Sequence, residues 1–293
     1  MGYLTAVRSI EFEQISKTVA SLCIAACYEL PADVLAALEQ AAQTESCPGA
    51  ARILGQLVEN AQIAAEQRIP LCQDTGLTVV FVEQGDQVVV SAANHSEPAT
   101  VCDAIQDGVR TGYEDGYLRK SVVADPLHGR ANTQTNTPAV IHHTIVPGEK
   151  LKITVMAKGG GCENKSRFRM FRPTAEVADV AEWIVEVVRS AGADACPPFV
   201  VGVGVGGNFE VSCLLSKRAL LRALDEPHAD PFYAQLEGDL LRKINALGIG
   251  PQGLGGDTTA LGVQIETAPC HIASLPVAVN IECHSHRHKT AIL

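Results

Sequence analysis

The chain has 293 residues, 46% hydrophobic and 19% charged, enough to bury about three quarters of its unfolded surface in one large domain or two. Its formal net charge of −10 argues against nucleic acid or an anionic bilayer as the main partner, because both need a basic face. With no basic-then-apolar leader and no apolar run of membrane-spanning length, a cytoplasmic protein is expected, in which ten cysteines are core fillers or ligands rather than a disulfide framework.

Residues 1–70 read as a helical subregion. Ile10 to Tyr28, Pro31 to Ala42 and Pro48 to Gln67 carry apolar residues at helical spacing, two of them opened by a proline. Cys23 and Cys27 fall within the first of these patterns and Cys213 within a later one; they read as core, as does Cys102. Pro70 stops the third helix and delivers the chain to Cys72-Gln73-Asp74-Thr75-Gly76. A thiol that can ligate metal and a carboxylate that can trade protons stand two residues apart there, before a turn-forming glycine. A buried cysteine followed by an Asx turn explains the same pentapeptide, so its weight comes from Cys196 and Cys283, which also sit at loop mouths.

Leu77 to Glu83 and Gln87 to Ala92 flank Gln84-Gly85-Asp86 as a predicted hairpin, and Pro98 to Leu118 returns to a helix. Residues 119–137 then lose all periodicity. A polar segment of that length is either a mobile surface loop or functional, and Arg119 within it can hold a carboxylate through two parallel hydrogen bonds. A second hairpin is predicted over Ala139 to Val146 and Lys150 to Ala157, around Pro147-Gly148.

Lys158-Gly159-Gly160-Gly161-Cys162-Glu163-Asn164-Lys165-Ser166 follows. Three glycines free to take positive φ suggest an anion-binding nest between two lysines, with a glycine-rich linker as the alternative. The spacing is not that of a Walker P-loop. Thr174 to Ser190 reads as an amphipathic helix, leading to Cys196-Pro197-Pro198 and the strand-like run Phe199 to Val203.

Gly202-Val203-Gly204-Val205-Gly206-Gly207 matches G-x-G-x-x-G in form, with helices expected over Phe209 to Leu224 and Pro231 to Leu247. A dinucleotide fold needs a strand between the first helix and the acidic pair Asp225-Glu226, and the helical pattern leaves no room for one. Strands Leu261 to Glu266 and Leu275 to Ile281 bracket His271, and His284 to Lys289 reads as a solvated basic tail. The fold class is α+β: a helical N-terminal part, then hairpins and helices around a mixed sheet. No C-x-x-C pair exists, so any metal centre must be assembled from distant loops.

Cys72-Gln73-Asp74-Thr75-Gly76, Lys158-Gly159-Gly160-Gly161, Cys196-Pro197-Pro198 with its glycine run, Gly248-Ile249-Gly250-Pro251-Gln252-Gly253 and the segment from His271 to Cys283 together resemble one family. It is that of the alpha subunits of two-subunit iron-sulfur hydro-lyases, the class I fumarate hydratases and L(+)-tartrate dehydratases. The resemblance runs in order over nearly the whole chain and implies one hydro-lyase domain over residues 1–293. It implies that Cys72, Cys196 and Cys283 hold a 4Fe-4S cluster with one iron free of protein ligands. In its terms Asp74 is the acid/base beside the cluster and His271 lies near the substrate, while Gln73, Arg119, Gly160 and Lys165 position that substrate. Cys162 stands where serine is frequent in the fumarases and is the competing candidate ligand.

An open iron would act as a Lewis acid in the reversible hydration of fumarate to malate, the reaction the resemblance favours. L(+)-tartrate dehydration and a mesaconate-type hydration are the alternatives, since the leading Lys158 and the Glu163-Asn164 pair look closer to the fumarase pattern. Longer family members carry a further domain with additional arginines, a lysine and a threonine base. A beta subunit is therefore expected to complete the site in an α2β2 heteromer, the partners being that subunit and a dicarboxylate, with neither nucleic acid nor membrane. An NAD-binding oxidoreductase and a non-enzymatic iron-sulfur scaffold are the readings from other classes.

Overall fold

A computed structural model of the chain describes residues 7–91 and 99–293; the expected element ends at Ala92 and Pro98 lie outside the described residues. In chain order the elements are β1 (Arg8–Glu11), α1 (Phe12–Tyr28), α2 (Ala32–Thr44), α3 (Pro48–Gln67), β2 (Leu77–Gly85), β3 (Val88–Ser91), α4 (Val101–Asp115), β4 (Val140–Val146) and β5 (Leu151–Lys158). They continue with α5 (Gly160–Glu163), β6 (Arg167–Phe171), α6 (Val177–Ala191), β7 (Phe199–Gly206), α7 (Phe209–Ala219), α8 (Pro231–Asn245), β8 (Ala260–Ala268), β9 (Leu275–Glu282) and β10 (His288–Ile292). This is an α+β chain with a helical N-terminal part. It divides into two compact units, one of Met1–Leu30, Ile63–Lys158 and Arg287–Leu293, the other of Pro31–Gln62 and Gly159–His286.

In the first unit a four-stranded sheet has the order β10-β5-β2-β4, and β1 pairs with β3 in a separate parallel ribbon. Neither predicted hairpin of this unit forms. β3 leaves β2 to join β1, and β2 lies between β4 and β5, parallel to the first and antiparallel to the second. Burial explains the choice: Val79, Val80, Phe81 and Val82 are all buried, so β2 belongs where both of its edges find ladder partners. Largely exposed β4 takes the sheet edge. α1 packs on α4, β5 and β10, placing Ile15, Val19, Ile105, Val109, Val80 and Val155 in one core.

One expectation fails in this region. His288–Ile292 is no solvated tail but β10, antiparallel to β5, and His286 and Arg287 just before it are each 1% exposed. Phe12–Thr44 is also long and apolar enough, by length and composition, to cross a membrane. It is broken at Glu29–Pro31 into helices of 17 and 13 residues, each shorter than the roughly 20 residues a bilayer needs, and ten residues of α1 are buried.

The second unit is built on a sheet of order β6-β9-β7-β8, with β7 parallel to β8 and antiparallel to β9. Its core gathers Ile184, Val188, Val201, Val203, Leu240, Ile265 and Val279. The edge strand β6 has no counterpart in the sequence expectation. The glycine run is explained by packing, since a Cβ on Gly202 or Gly204 would stand 2.0 Å from the backbone oxygen of Ser216 or Ser212 in α7. α7 ends at Ala219, short of the expected Leu224, and no strand separates it from Asp225 among the described residues.

Candidate functional site

In the first unit the candidate residues lie on the loop between α3 and β2. Its ends are fixed from the core: Leu71 N–H donates to the Cys27 carbonyl at 2.9 Å, and the Tyr113 hydroxyl donates to the Thr75 carbonyl at 2.8 Å. Between those anchors Cys72 is half-buried and Gln73 exposed. Asp74 N–H points at Cys72 Sγ at 3.4 Å, while Asp74 Oδ1 accepts Gly76 N–H at 3.0 Å, an Asx turn that fixes the carboxylate. Gly76 has φ +76°, and a Cβ there would meet the Lys158 carbonyl at 2.6 Å, so only glycine lets the loop lie against the end of β5.

Beneath the loop is Arg287. Its Nη1 donates to the Asp74 carbonyl, and its charge partly offsets the burial that pushes the Cys27 thiol up to about 11. From the other side the Thr75 hydroxyl donates to the Arg119 carbonyl at 3.1 Å. Asn136, fully buried, donates to the Gly76 carbonyl at 3.2 Å and accepts Ser121 N–H at 2.7 Å. The polar segment 119–137 is therefore anchored to the loop at both of its ends. The Arg119 side chain is exposed.

In the second unit three motifs converge. Cys196 follows a 3-10 turn, Gly192–Ala195, in a left-handed conformation (φ 55°, ψ 65°) and is exposed. Its carbonyl accepts His284 N–H at 3.4 Å, and His284 Nδ1 lies 3.2 Å from the same oxygen. Gln252 spans the pair, its backbone N–H donating to the Pro197 carbonyl at 2.8 Å and its Nε2 lying 3.1 Å from His284 Nδ1. The Cys196 and Cys283 loops are thus tied together through the residue after each cysteine.

Cys162 joins this group. Its thiol donates to the Ala195 carbonyl at 3.4 Å, and the ligand atoms of Cys162, Glu282 and Cys283, all buried, lie within 4.8 Å of one another. No cysteine forms a disulfide among the described residues. The glycine nest is not found as expected: Gly159 has φ −65°, neither Gly160 nor Gly161 has positive φ, and Gly160–Glu163 is a single helical turn. Lys165 is paired with Asp194 at 2.8 Å, a bond that holds the Asp194 carboxyl below its ordinary range. His271 lies exposed between β8 and β9, its Nδ1 accepting Ala273 N–H at 3.1 Å.

Five residues with structural bearing on these groups escaped the sequence reading: Asn136, Gln252, Glu282, His284 and Arg287. Two lay in quoted motifs without a role, Gln252 in the Gly-Pro-Gln-Gly run and Glu282 before Cys283. His284 and Arg287 were hidden in an apparent tail. Asn136 offered no local signal, because its role depends on a contact 60 residues away.

A profile of the family described as Fumarate hydratase (Fumerase) matches residues 16–292. A protein of Methanocaldococcus jannaschii, provisionally named L(+)-tartrate dehydratase subunit alpha, is 41% identical over 278 residues, covering 94% of this chain and 95% of that one. The L(+)-tartrate dehydratase subunit alpha of Escherichia coli K12 is 30% identical over 282 residues, covering 96% of this chain and 91% of its own length.

Proposed function

This chain belongs to the fumarate hydratase family, whose members are hydro-lyases, and from that premise we propose that it is the alpha subunit of an iron-sulfur hydro-lyase that interconverts fumarate and malate. The observation carrying this reading is the convergence of the Cys196-Pro197-Pro198, Gly250-Pro251-Gln252-Gly253 and Glu282-Cys283-His284 motifs through His284 and Gln252. In our reading Cys72, Cys196 and Cys283 are the ligands of a 4Fe-4S cluster. Their donor chemistry fits, since soft thiolates outside any disulfide are what iron-sulfur ligation needs, and Cys72 and Cys196 are both accessible.

When bound, the cluster supplies Lewis-acid polarisation of the substrate hydroxyl and carboxylate at its iron without a protein ligand. Asp74 exchanges the proton of the hydroxyl being added or lost, its carboxylate aimed by the bond from Gly76 N–H. Gln73 and Arg119 orient a carboxylate, the guanidinium through two parallel bonds. Gly160 contributes backbone and Lys165 contributes charge, which the substrate must share with Asp194. His271 completes the polar surroundings. The names of both relatives contain "subunit alpha", which supports a partner subunit; in our reading that beta subunit supplies the second carboxylate clamp and the carbon base, in an α2β2 cytoplasmic heteromer.

A second reading, L(+)-tartrate as substrate, is favoured by the names of the same relatives. Tartrate's extra hydroxyl calls for an additional hydrogen-bonding partner, and such a polar difference discriminates strongly. Anaerobic reconstitution with iron and sulfide, followed by pairing with a beta subunit, tests both readings. A brown protein whose visible spectrum changes on adding fumarate, with kcat/KM for malate above those for L-tartrate and mesaconate, is expected; the chain alone should have little activity. Preference for L-tartrate selects the second reading, and a colourless protein that binds NAD overturns both.

A further inference from the structure

We propose that the outer edge of β4 is a pairing surface for a second copy of this chain, which continues the four-stranded sheet of the first unit across a two-fold axis. β4 stands at the edge of that sheet, bonded to β2 on its inner side in unbroken register from Val140 to Val146. Backbone directions alternate along a strand, so the bonds already made show which groups are left over. The Val146 carbonyl accepts Asp86 N–H at 2.8 Å, which turns the even-numbered residues of β4 toward β2. Ala139, of the opposite parity, has its N–H and its carbonyl taken by the Gln106 side chain at 2.8 and 3.3 Å. Ile141, His143 and Ile145 therefore direct their N–H groups and carbonyls to the open edge, where no strand pairs with them among the described residues.

An edge of this kind is ordinarily blunted by a charged residue, a proline, a bulge or a short strand. β4 has none of these. Val-Ile-His-His-Thr-Ile-Val is β-branched everywhere except at its two histidines, and Ile145 is 62% exposed.

The order of its residues identifies the occupant. Outward from His143, Ile141 mirrors Ile145 and Val140 mirrors Val146, with His142 against Thr144. An antiparallel copy centred on His143 thus sets valine opposite valine, isoleucine opposite isoleucine and His143 opposite its own image, the self-complementary pattern of a two-fold contact. Every outward group is satisfied in that register. His143 exchanges a pair of bonds with its image, and Ile141 and Ile145 exchange pairs with each other on either side. Charge complementarity agrees: each chain carries −10, so two copies repel over much of their surface, but β4 has no Asp, Glu, Lys or Arg to set like charges face to face.

This surface gives the proposed α2β2 assembly a contact between its alpha chains. It rests on the sheet edge and on neither the cluster nor the substrate.

The test uses the full chain, reduced and without a partner subunit, in sedimentation equilibrium over a micromolar range. A monomer–dimer equilibrium is expected. Ile145→Lys, at a position already exposed, should leave only monomer with the thermal melt unchanged. His143→Pro removes one outward N–H and no N–H donated to β2, and should also abolish the dimer.

The register has its own readout, in a Cys102→Ser background that removes the thiol 3.8 Å from His143 Nδ1. There His143→Cys brings two Cα atoms to about 5.5 Å across the axis, within disulfide reach, and should cross-link on mild oxidation. Thr144→Cys, which faces the partner's His142, should not. A chain that stays monomeric, a dimer that survives both Ile145→Lys and His143→Pro, or equal cross-linking at the two positions would overturn the proposal. So would a chain monomeric alone whose β4 amides a beta subunit protects from exchange, because the edge would then belong to that subunit. Failure to take up iron and sulfide, with the dimer intact, would sink the cluster reading and leave this surface standing.

Discussion

Arg287 and Asp74 are joined across 213 positions of sequence by a hydrogen bond from the buried guanidinium to the Asp74 backbone carbonyl. The contact sets the height of the Cys72–Gly76 loop from below, while Tyr113 and Asn136 hold the carbonyls of Thr75 and Gly76. A planar donor at this position satisfies a carbonyl that no β-ladder reaches.

Arg287→Ala should therefore destabilise the chain by about 2–4 kcal/mol, the scale for leaving buried polar groups unmatched. Arg287→Lys, which keeps the charge but loses the fork, should recover only part of it. Urea denaturation of both variants checks this, and a Cm for Arg287→Ala equal to wild type would contradict it.

Cys72→Ser, Cys196→Ser and Cys283→Ser should each abolish the broad visible absorbance of the reconstituted chain, whereas Cys162→Ser should keep it. Retention in Cys196→Ser together with loss in Cys162→Ser would replace Cys196 by Cys162 among the ligands. The proximity of Cys162 to Cys283 makes this a necessary comparison.

Asp74→Asn preserves an oxygen that can accept Gly76 N–H, so the loop and the cluster spectrum should survive. The chain paired with its partner should nevertheless lose about 10²–10⁴-fold in kcat, the usual contribution of a positioned acid or base. An unchanged kcat would remove Asp74 from proton transfer.

At the start of α4, Thr100 and Asp103 form a reciprocal capping box, and hydrogen bonds from the Thr100 hydroxyl and N–H hold the Asp103 carboxyl below its ordinary range. A depressed folded pKa means the contribution is fully present above the unfolded aspartate value near 3.9 and is lost as pH falls through the folded value. Asp103→Asn should cost about 0.5–1 kcal/mol at pH 7 and flatten the acid limb of stability against pH below about 4. Thermal melts between pH 2.5 and 7 check both.

Gly204→Ala would place a methyl 2.0 Å from the Ser212 carbonyl, so α7 would have to move off β7. A loss of about 1–3 kcal/mol or more is expected, with no change in any affinity for NAD, because the glycine run serves packing. Measured NAD binding that this variant alone abolishes would restore the dinucleotide reading.

Much of the molecule was legible in one dimension. The helical periodicity of α1, α2, α3, α6 and α8, and the prolines and glycines that delimit Cys72, Cys196 and Gly250, are local features set by contacts within one or two turns, so spacing reveals them. The order of the motifs carried the family. Strand partners were decided only in three dimensions: two adjacent strands with a short connection promised a hairpin, yet β2 separates β4 from β5, because burying Val79 to Val82 on a central strand outweighs the short loop. The same holds for β10, whose polar sequence resembles a tail until β5 supplies its hydrogen bonds. Arg287 under Asp74, Asn136 on Gly76 and Cys162 beside Cys283 each depend on residues far apart in sequence, where neither propensity nor spacing acts and only the closed tertiary structure brings donor to acceptor.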